Sequence, residues 1–203
     1  MGEINSYITL KRVIDIVGSL VALVIFAPLL FFVALLVKIT SPGPCIFKQE
    51  RLKQGGKRFN CLKFRTMIMN AREILHISPG MQQQFHARYK IHNDPRIVRV
   101  GRLLRGSSLD ELPQLINVLK GEMSLVGPRP IVPQEIDKYG PFATKFLSIK
   151  PGLTGLWQVS GRNALSYEER VSLDMKYIDE CSLWLDLKIL FVTLPTVLKG
   201  SGW

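Results

Sequence analysis

Little in this chain lends itself to redox, disulfide or zinc chemistry. Of its 203 residues only three are cysteine and three are histidine. Cys45, Cys61 and Cys181 are odd in number and lack a CxxC spacing, which argues against a disulfide framework or a zinc site and for a reducing compartment. The histidines form neither an HExxH motif nor an i, i+4 pair. There is no GxGxxG and no P-loop, so nucleotide binding by those routes is disfavoured. Repeats and low-complexity tracts are missing too, and a composition of 47% hydrophobic and 21% charged residues excludes a disordered or collagen-like chain. The length suits one domain with a sizeable core. Acidic residues are the scarcer charge, 16 against 27 Lys and Arg, leaving a formal net charge of +11.

That excess is concentrated. Residues 1–37 are neutral, residues 38–106 carry fifteen Lys/Arg against only Glu50, Glu73 and Asp94, and residues 107–203 are close to neutral. A basic block of this kind usually faces an anion: nucleic acid, an anionic membrane surface or a phosphorylated substrate. The aromatics are not interleaved with the basic run, which disfavours nucleic acid.

From Ile16 to Val37 the chain runs twenty-two residues without a charge. As a continuous helix this stretch would reach about 33 Å, enough to cross a bilayer core. Basic residues flank it on both sides, far more densely downstream, and the positive-inside rule places residues 38–106 in the cytoplasm. Pro28 near its middle predicts a kink. Two topologies are open, a straight span and a bent hairpin that returns to the same side. Lys11, Arg12 and Asp15 favour the bent form, because translocating charge is costly.

Ser41-Pro42-Gly43-Pro44 ends this helix, and residues 45–67 predict two short strands joined at Gly55-Gly56. Residues 70–90 lean helical. A compact amphipathic helix is expected around 110–120, stopped by Gly121. Ser166 with Glu169 fits a capping box opening a helix to about Glu180. The stretch 183–199 is apolar on most faces and reads either as a core helix or as one lying in the membrane interface.

Asp110 and Glu111 are the most suggestive acids, since they follow so basic a stretch. Ser107 and Ser108 offer overlapping capping boxes with them, so one role is simply to stabilise a helix start. The other is chemical: a carboxylate at the positive end of a helix, available as nucleophile or Mg²⁺ ligand. Arg129 in Gly127-Pro128-Arg129-Pro130 is held with little entropy left to lose, a setting suited to bidentate phosphate binding. Arg162 follows Gly161 in a similar turn, and Lys63 and Arg65 alternate with Leu62 and Phe64 on one face of a predicted strand.

Four segments carry a resemblance: KRVIDIVG, GPCIFKQERLKQGGKRFNCLKFRTM, NDPRIVRVGRLLRGSSLDELPQLINVLKGEMSLVGPRP and PGLTGLWQVSGRNALSYEER. In this order they resemble the bacterial sugar transferases of the monotopic polyprenyl-phosphate phosphoglycosyl transferase type, in the small, catalytic-domain-only form, over residues 10–199. The resemblance implies an enzyme that moves a sugar-1-phosphate from a UDP-sugar to undecaprenyl phosphate and releases UMP, starting the assembly of a bacterial glycan such as capsule, exopolysaccharide, O-antigen or glycoprotein. It implies Asp110 and Glu111 as the catalytic pair, with Asp110 forming a covalent phosphosugar intermediate. Lys63, Arg105, Arg129 and Arg162 match the family's phosphate-binding residues. Mg²⁺ is the implied cofactor, contacted by Asp110. The implied partners are the UDP-sugar, undecaprenyl phosphate and anionic membrane lipids, with no nucleic acid and a homodimer left open. The family's re-entrant helix breaks near a Ser-Pro pair; here the pair is Ala27-Pro28. Pattern and resemblance together predict an α+β, mostly helical fold. A re-entrant, kinked membrane helix occupies residues 1–40, and a catalytic domain at the cytoplasmic face of the bacterial inner membrane occupies 41–203, with a short β-hairpin and interfacial amphipathic helices. The competing reading is a non-catalytic, membrane-anchored binder of anionic lipid or glycan precursors.

Overall fold

The computed structural model describes residues 2–88, 91 and 93–198. The last residue of the expected 183–199 helix and the outer ends of the two expected domains lie outside them. The fold is α+β and mostly helical, as expected, with two small sheets among the described residues. Helix α1 runs Gly2–Thr40, with Pro28 inside it and the helix continuing on both sides. Among the described residues it holds the one stretch, Ser6–Thr40, long and apolar enough to cross a membrane. Most of its large side chains between Val17 and Ile39 are exposed, Val24 at 74%.

The hairpin forms where the alternation put it. Strands β1 (Ile46–Leu52) and β2 (Arg58–Phe64) pair antiparallel from Ile46 opposite Phe64 to Leu52 opposite Arg58. Gly55 and Gly56 both take positive φ in the connection, a backbone that side chains disfavour. Helices α2 (Ala71–Ile77) and α3 (Pro79–Arg88) follow, then α4 (Arg99–Gly106) and α5 (Gln114–Leu119). Gly121 ends α5 as expected, with φ 76°. Strand β3 (Ser124–Val126) pairs in parallel with β4 (Gly152–Thr154), a second sheet that the residue pattern had not indicated. Three-residue strands are too short to show a period. Their backbones cross closely: a Cβ on Gly152 would lie 2.1 Å from the Gly127 nitrogen. Helix α6 (Ala143–Phe146) lies between these strands in sequence, and α7 (Leu156–Ser160), α8 (Tyr167–Glu180) and α9 (Leu183–Leu198) follow. The Ser166–Glu169 capping box is present in both directions.

One core gathers Phe59 and Cys61 of β2, Leu115 and Val118 of α5, Leu125 and Val126 of β3, Tyr177 of α8 and Ile189 of α9. A second joins Leu52, Ile131, Tyr139, Phe146, Val171 and Met175. The third packs Val33 and Val37 of α1 on Phe64 and Leu104. Helix α1 is therefore attached to the domain near its end. It is attached near its beginning as well. There Arg12 donates to the carbonyls of Val118 and Leu119, at 2.7 and 2.8 Å. Lys11 meets Asp186 of α9 at 2.7 Å, and Asp15 accepts from the Ser124 hydroxyl and the Leu125 amide.

Asn117 fastens α5 to the hairpin. Its carboxamide accepts from Leu62 N–H at 3.0 Å and donates to the Asn60 carbonyl at 2.8 Å and the Glu122 carboxylate at 2.7 Å. Asn117→Ala would remove all three bonds of a side chain that is itself buried and should cost about 1–3 kcal/mol. The measurement is the thermal midpoint of the detergent-solubilised protein by circular dichroism; an unchanged midpoint would contradict the assignment.

Candidate active site

The segment carrying the acid pair does not begin a long helix. Ser107 closes α4, and its hydroxyl turns back to the Leu103 and Leu104 carbonyls rather than forward. Ser108 is left-handed, with φ 57°, and provides no side-chain cap. The capping boxes expected from Ser107 and Ser108 are therefore not formed. Instead Leu109–Glu111 make a 3-10 turn, Pro113 follows, and α5 starts only at Gln114. The helix expected over 110–120 is thus split, and the α-helix start expected at Asp110 lies four residues further on, at the six-residue α5. The proline and the left-handed serine both enforce the break.

The site is made by convergence on this turn. On β2, Lys63 shares the inward parity of Phe59 and Cys61, so its ammonium reaches the Glu111 carboxylate at 2.5 Å. Arg65, with the same parity one step past the strand, serves differently: it is buried and donates to the Ser41 carbonyl at 2.7 Å. Arg105, at the end of α4, donates from Nε to the Thr66 hydroxyl at 2.8 Å and is drawn electrostatically to Asp110. Arg129 rides a loop pinned on both sides: Gly127 N–H donates to Thr154, and the Pro128 carbonyl accepts from Gly152 at 2.7 Å. Its guanidinium is attracted by Glu135 and Glu111. Arg162, left-handed with φ 52°, is braced by its Nε on the Gln158 carbonyl at 3.0 Å and also faces Glu111. Of the four expected cations, Lys63 thus pairs with Glu111 directly, and Arg105, Arg129 and Arg162 are within electrostatic reach of one acid or the other.

A fifth cation had not been singled out. Arg51 of β1 is buried, donates to the Pro130 carbonyl at 3.0 Å and lies 3.8 Å from Glu135. Its only signal in the sequence was its inward strand parity within a crowded basic block. Arg51, Lys63, Glu111, Gln114, Arg129 and Gln158 line one narrow cleft. Both glutamines also escaped sequence reasoning, since a neutral amide carries no pattern of its own.

The two acids are set apart electrostatically. Burial pushes the Asp110 carboxyl up to about 6, and the charge of Glu111 adds to the rise, while Lys63 and Arg105 oppose it. Burial would raise Glu111 as well, but Lys63, Arg129 and Arg51 hold it below the ordinary carboxylate range. Burial would lower Arg129, yet Glu135 and Glu111 keep it above its usual value. One carboxylate is thus committed to an ion pair and the other is not. As a donor set for a metal, the pair suits an ion needing few protein ligands: among the described residues no group of three or more His, Cys, Asp or Glu converges. Mg²⁺ meets that condition, since it takes one or two carboxylates and completes its shell with phosphate oxygens and water.

Residues 6–200 match the bacterial sugar transferase family. The chain is 48% identical over 198 residues to an undecaprenyl-phosphate galactose phosphotransferase of Salmonella typhimurium, covering 95% of this chain and 41% of that protein. It is 45% identical to the exopolysaccharide production protein ExoY of Rhizobium meliloti, over 95% of this chain and 87% of that one. A UDP-glucose:undecaprenyl-phosphate glucose-1-phosphate transferase of Caulobacter vibrioides is 43% identical, over 95% and 71%. The chain thus spans less than half of the Salmonella relative and most of the other two.

The raised Asp110 carboxyl makes stability depend on pH. A folded-state value of about 6, above the ordinary 3.8, means the folded protein binds this proton more tightly than the unfolded chain. Stability is therefore lost as pH rises from about 4 through 6. Asp110→Asn removes that dependence. It should be more stable than the unaltered protein at pH 7.5, by up to roughly 3 kcal/mol, with the gap closing toward pH 4. Thermal midpoints across this range test it, and a gap that does not change with pH would refute it.

Proposed function

The chain belongs to the bacterial sugar transferase family, and from that premise we propose that it transfers a sugar-1-phosphate from a UDP-sugar to undecaprenyl phosphate, releasing UMP. The observation that carries this reading is the uncommitted Asp110 beside a Glu111 ion-paired to Lys63, with Arg105, Arg129 and Arg162 all drawn to the pair. The relatives' names support the same chemistry: one is called a galactose phosphotransferase and another a glucose-1-phosphate transferase, both on undecaprenyl phosphate.

In the proposed mechanism an Asp110 oxygen attacks the β-phosphorus of the UDP-sugar. The bond from that phosphorus to the bridging oxygen breaks, and UMP departs with the electron pair. A phosphate oxygen of undecaprenyl phosphate then attacks the same phosphorus and frees the Asp110 carboxylate, leaving the sugar on a polyprenyl diphosphate. Lys63, Arg105, Arg129 and Arg162 neutralise the phosphoryl oxygens, and being fixed beforehand they need little reorganisation at the moment of reaction. Glu111 holds Lys63 in place. Mg²⁺, when bound, would add Lewis-acid neutralisation at the diphosphate, and Asp110 would hold it.

The acceptor is a lipid, and the membrane attachment agrees with that. Helix α1 leaves an apolar surface uncovered, and α9 adds exposed Trp184, Leu187, Phe191 and Leu194. Both ends of α1 are tied to the same polar domain. A helix that crossed the bilayer would place one of these ends on the far side. We therefore assign a re-entrant insertion from one face, the cytoplasmic face of the inner membrane, with the basic block near anionic headgroups.

With purified protein, UDP-sugar and undecaprenyl phosphate, Asp110→Asn should reduce UMP release by at least about 10³-fold. The unaltered protein should yield a phosphosugar adduct on the Asp110 peptide in mass spectrometry. Turnover retained in the variant, or no UMP from any donor, would sink the mechanism and favour a non-catalytic binder. Because the nucleophile must be ionised, the rate should rise with pH through about 6. In a cysteine-free background, Ile8→Cys should resist labelling by an impermeant maleimide from the periplasmic side; labelling there would exclude the re-entrant insertion.

A further inference from the structure

Next to the charged pair, the cleft holds an uncharged side chain that the chemistry above leaves idle. Gln114 is only 2% exposed, and its Nε2 is fully enclosed without a hydrogen-bond partner. Buried amides are ordinarily paired, so an unspent donor beside a cleft marks a place where a ligand supplies the partner. Gln158 lines the same cleft. Its Nε2 donates to the Leu153 carbonyl at 3.3 Å, while its Oε1 is buried without a partner. Its main-chain carbonyl braces Arg162.

We propose that Gln114, together with Gln158, recognises the hydroxyl groups of the donor's sugar and sets which sugar is accepted. This rests on the transferase reading above. A carboxamide oxygen repels phosphate, and Lys63 and Arg129 are already present for anions, so the complement of these amides is a neutral group that both donates and accepts. A sugar hydroxyl does so. The covalent order of the donor selects the sugar over the base. The sugar is joined through one oxygen to the phosphorus at which Asp110 acts, whereas uracil lies beyond the α-phosphate and the ribose. Gln114 stands three residues after Glu111, directly after Pro113, whose fixed φ restricts the backbone between the amide and the acid pair. Relatives named for galactose and for glucose differ in the configuration of one hydroxyl, the kind of difference a fixed amide can discriminate.

The experiment compares UMP release from UDP-glucose, UDP-galactose and their N-acetylamino counterparts by the unaltered protein, Gln114→Leu and Gln158→Leu. The ratio of kcat/KM between the preferred donor and the others should fall at least about tenfold in Gln114→Leu. Inhibition by free UDP should be unchanged, and the thermal midpoint should hold or rise, since leucine removes an unpaired buried amide. Gln158→Leu, read in the same way, keeps the test open if the first variant fails to fold. Unchanged donor ratios would overturn the assignment, as would UDP inhibition weakened in parallel for every donor, which would place the amides on the nucleotide. A lowered midpoint with ratios intact would mark a purely structural role. If the unaltered protein releases UMP from no donor, the transferase reading fails first and this assignment with it.

Discussion

Everything in this molecule depends on how three charged side chains near the start of an otherwise apolar helix are kept out of lipid. A charge at the centre of a bilayer costs roughly 2.5–3.5 kcal/mol on the lower scales. Lys11, Arg12 and Asp15 avoid that cost by bonding to α9, to the end of α5 and to β3. These bonds fix the beginning of α1 against the domain, and Val33 and Val37 fix its other end. Between them Ser19, Ala22 and Leu23 still touch the domain, while the opposite face, with Val24, Ile25, Phe31 and Phe32, is left exposed. The same contacts brace α5, whose first turn adjoins the acid pair, so the anchor and the site share a scaffold.

The site extends this economy of charge. Five cations surround two carboxylates, an arrangement that would repel itself without counter-charges below. Arg51 is pushed down to about 10 by its own burial and by Arg129, and Glu135 offsets part of that. Behind them, Asp174 accepts from the Tyr139 hydroxyl at 2.8 Å and is pushed up to about 7 by burial. Between these layers Lys63 chooses Glu111 and leaves Asp110 uncommitted. A carboxylate that is buried, unpaired and close to cations is costly in the resting protein, as functional sites often are. In the proposed reaction its value lies in attacking a diphosphate whose negative charge the neighbouring cations neutralise.

Much of this was legible from residues alone. The twenty-two-residue apolar run, the Gly55-Gly56 hairpin, the stop at Gly121 and the capping box at Ser166 are set by short-range rules of period, turn and cap, and all are found. The helix around Asp110 was misjudged for an equally local reason. A left-handed Ser108 outweighs two serines well spaced for capping, and nothing in the letters records a φ angle. The parallel pairing of β3 with β4 escaped notice because three residues are too few to show alternation.

The order of residues alone sets where the charge and the apolar surface lie along the chain, and which side chains are chemically able to handle phosphate. It could not determine that Lys63 meets Glu111 across 48 residues, or that Arg51, Arg129 and Arg162 close on the same turn. Local preferences act over a turn or a strand pair, whereas this convergence is decided by which faces bury one another. The tertiary structure decided that, and with it which of two adjacent carboxylates is spent on an ion pair. It also left the amide nitrogen of Gln114 buried beside them with nothing yet to bond.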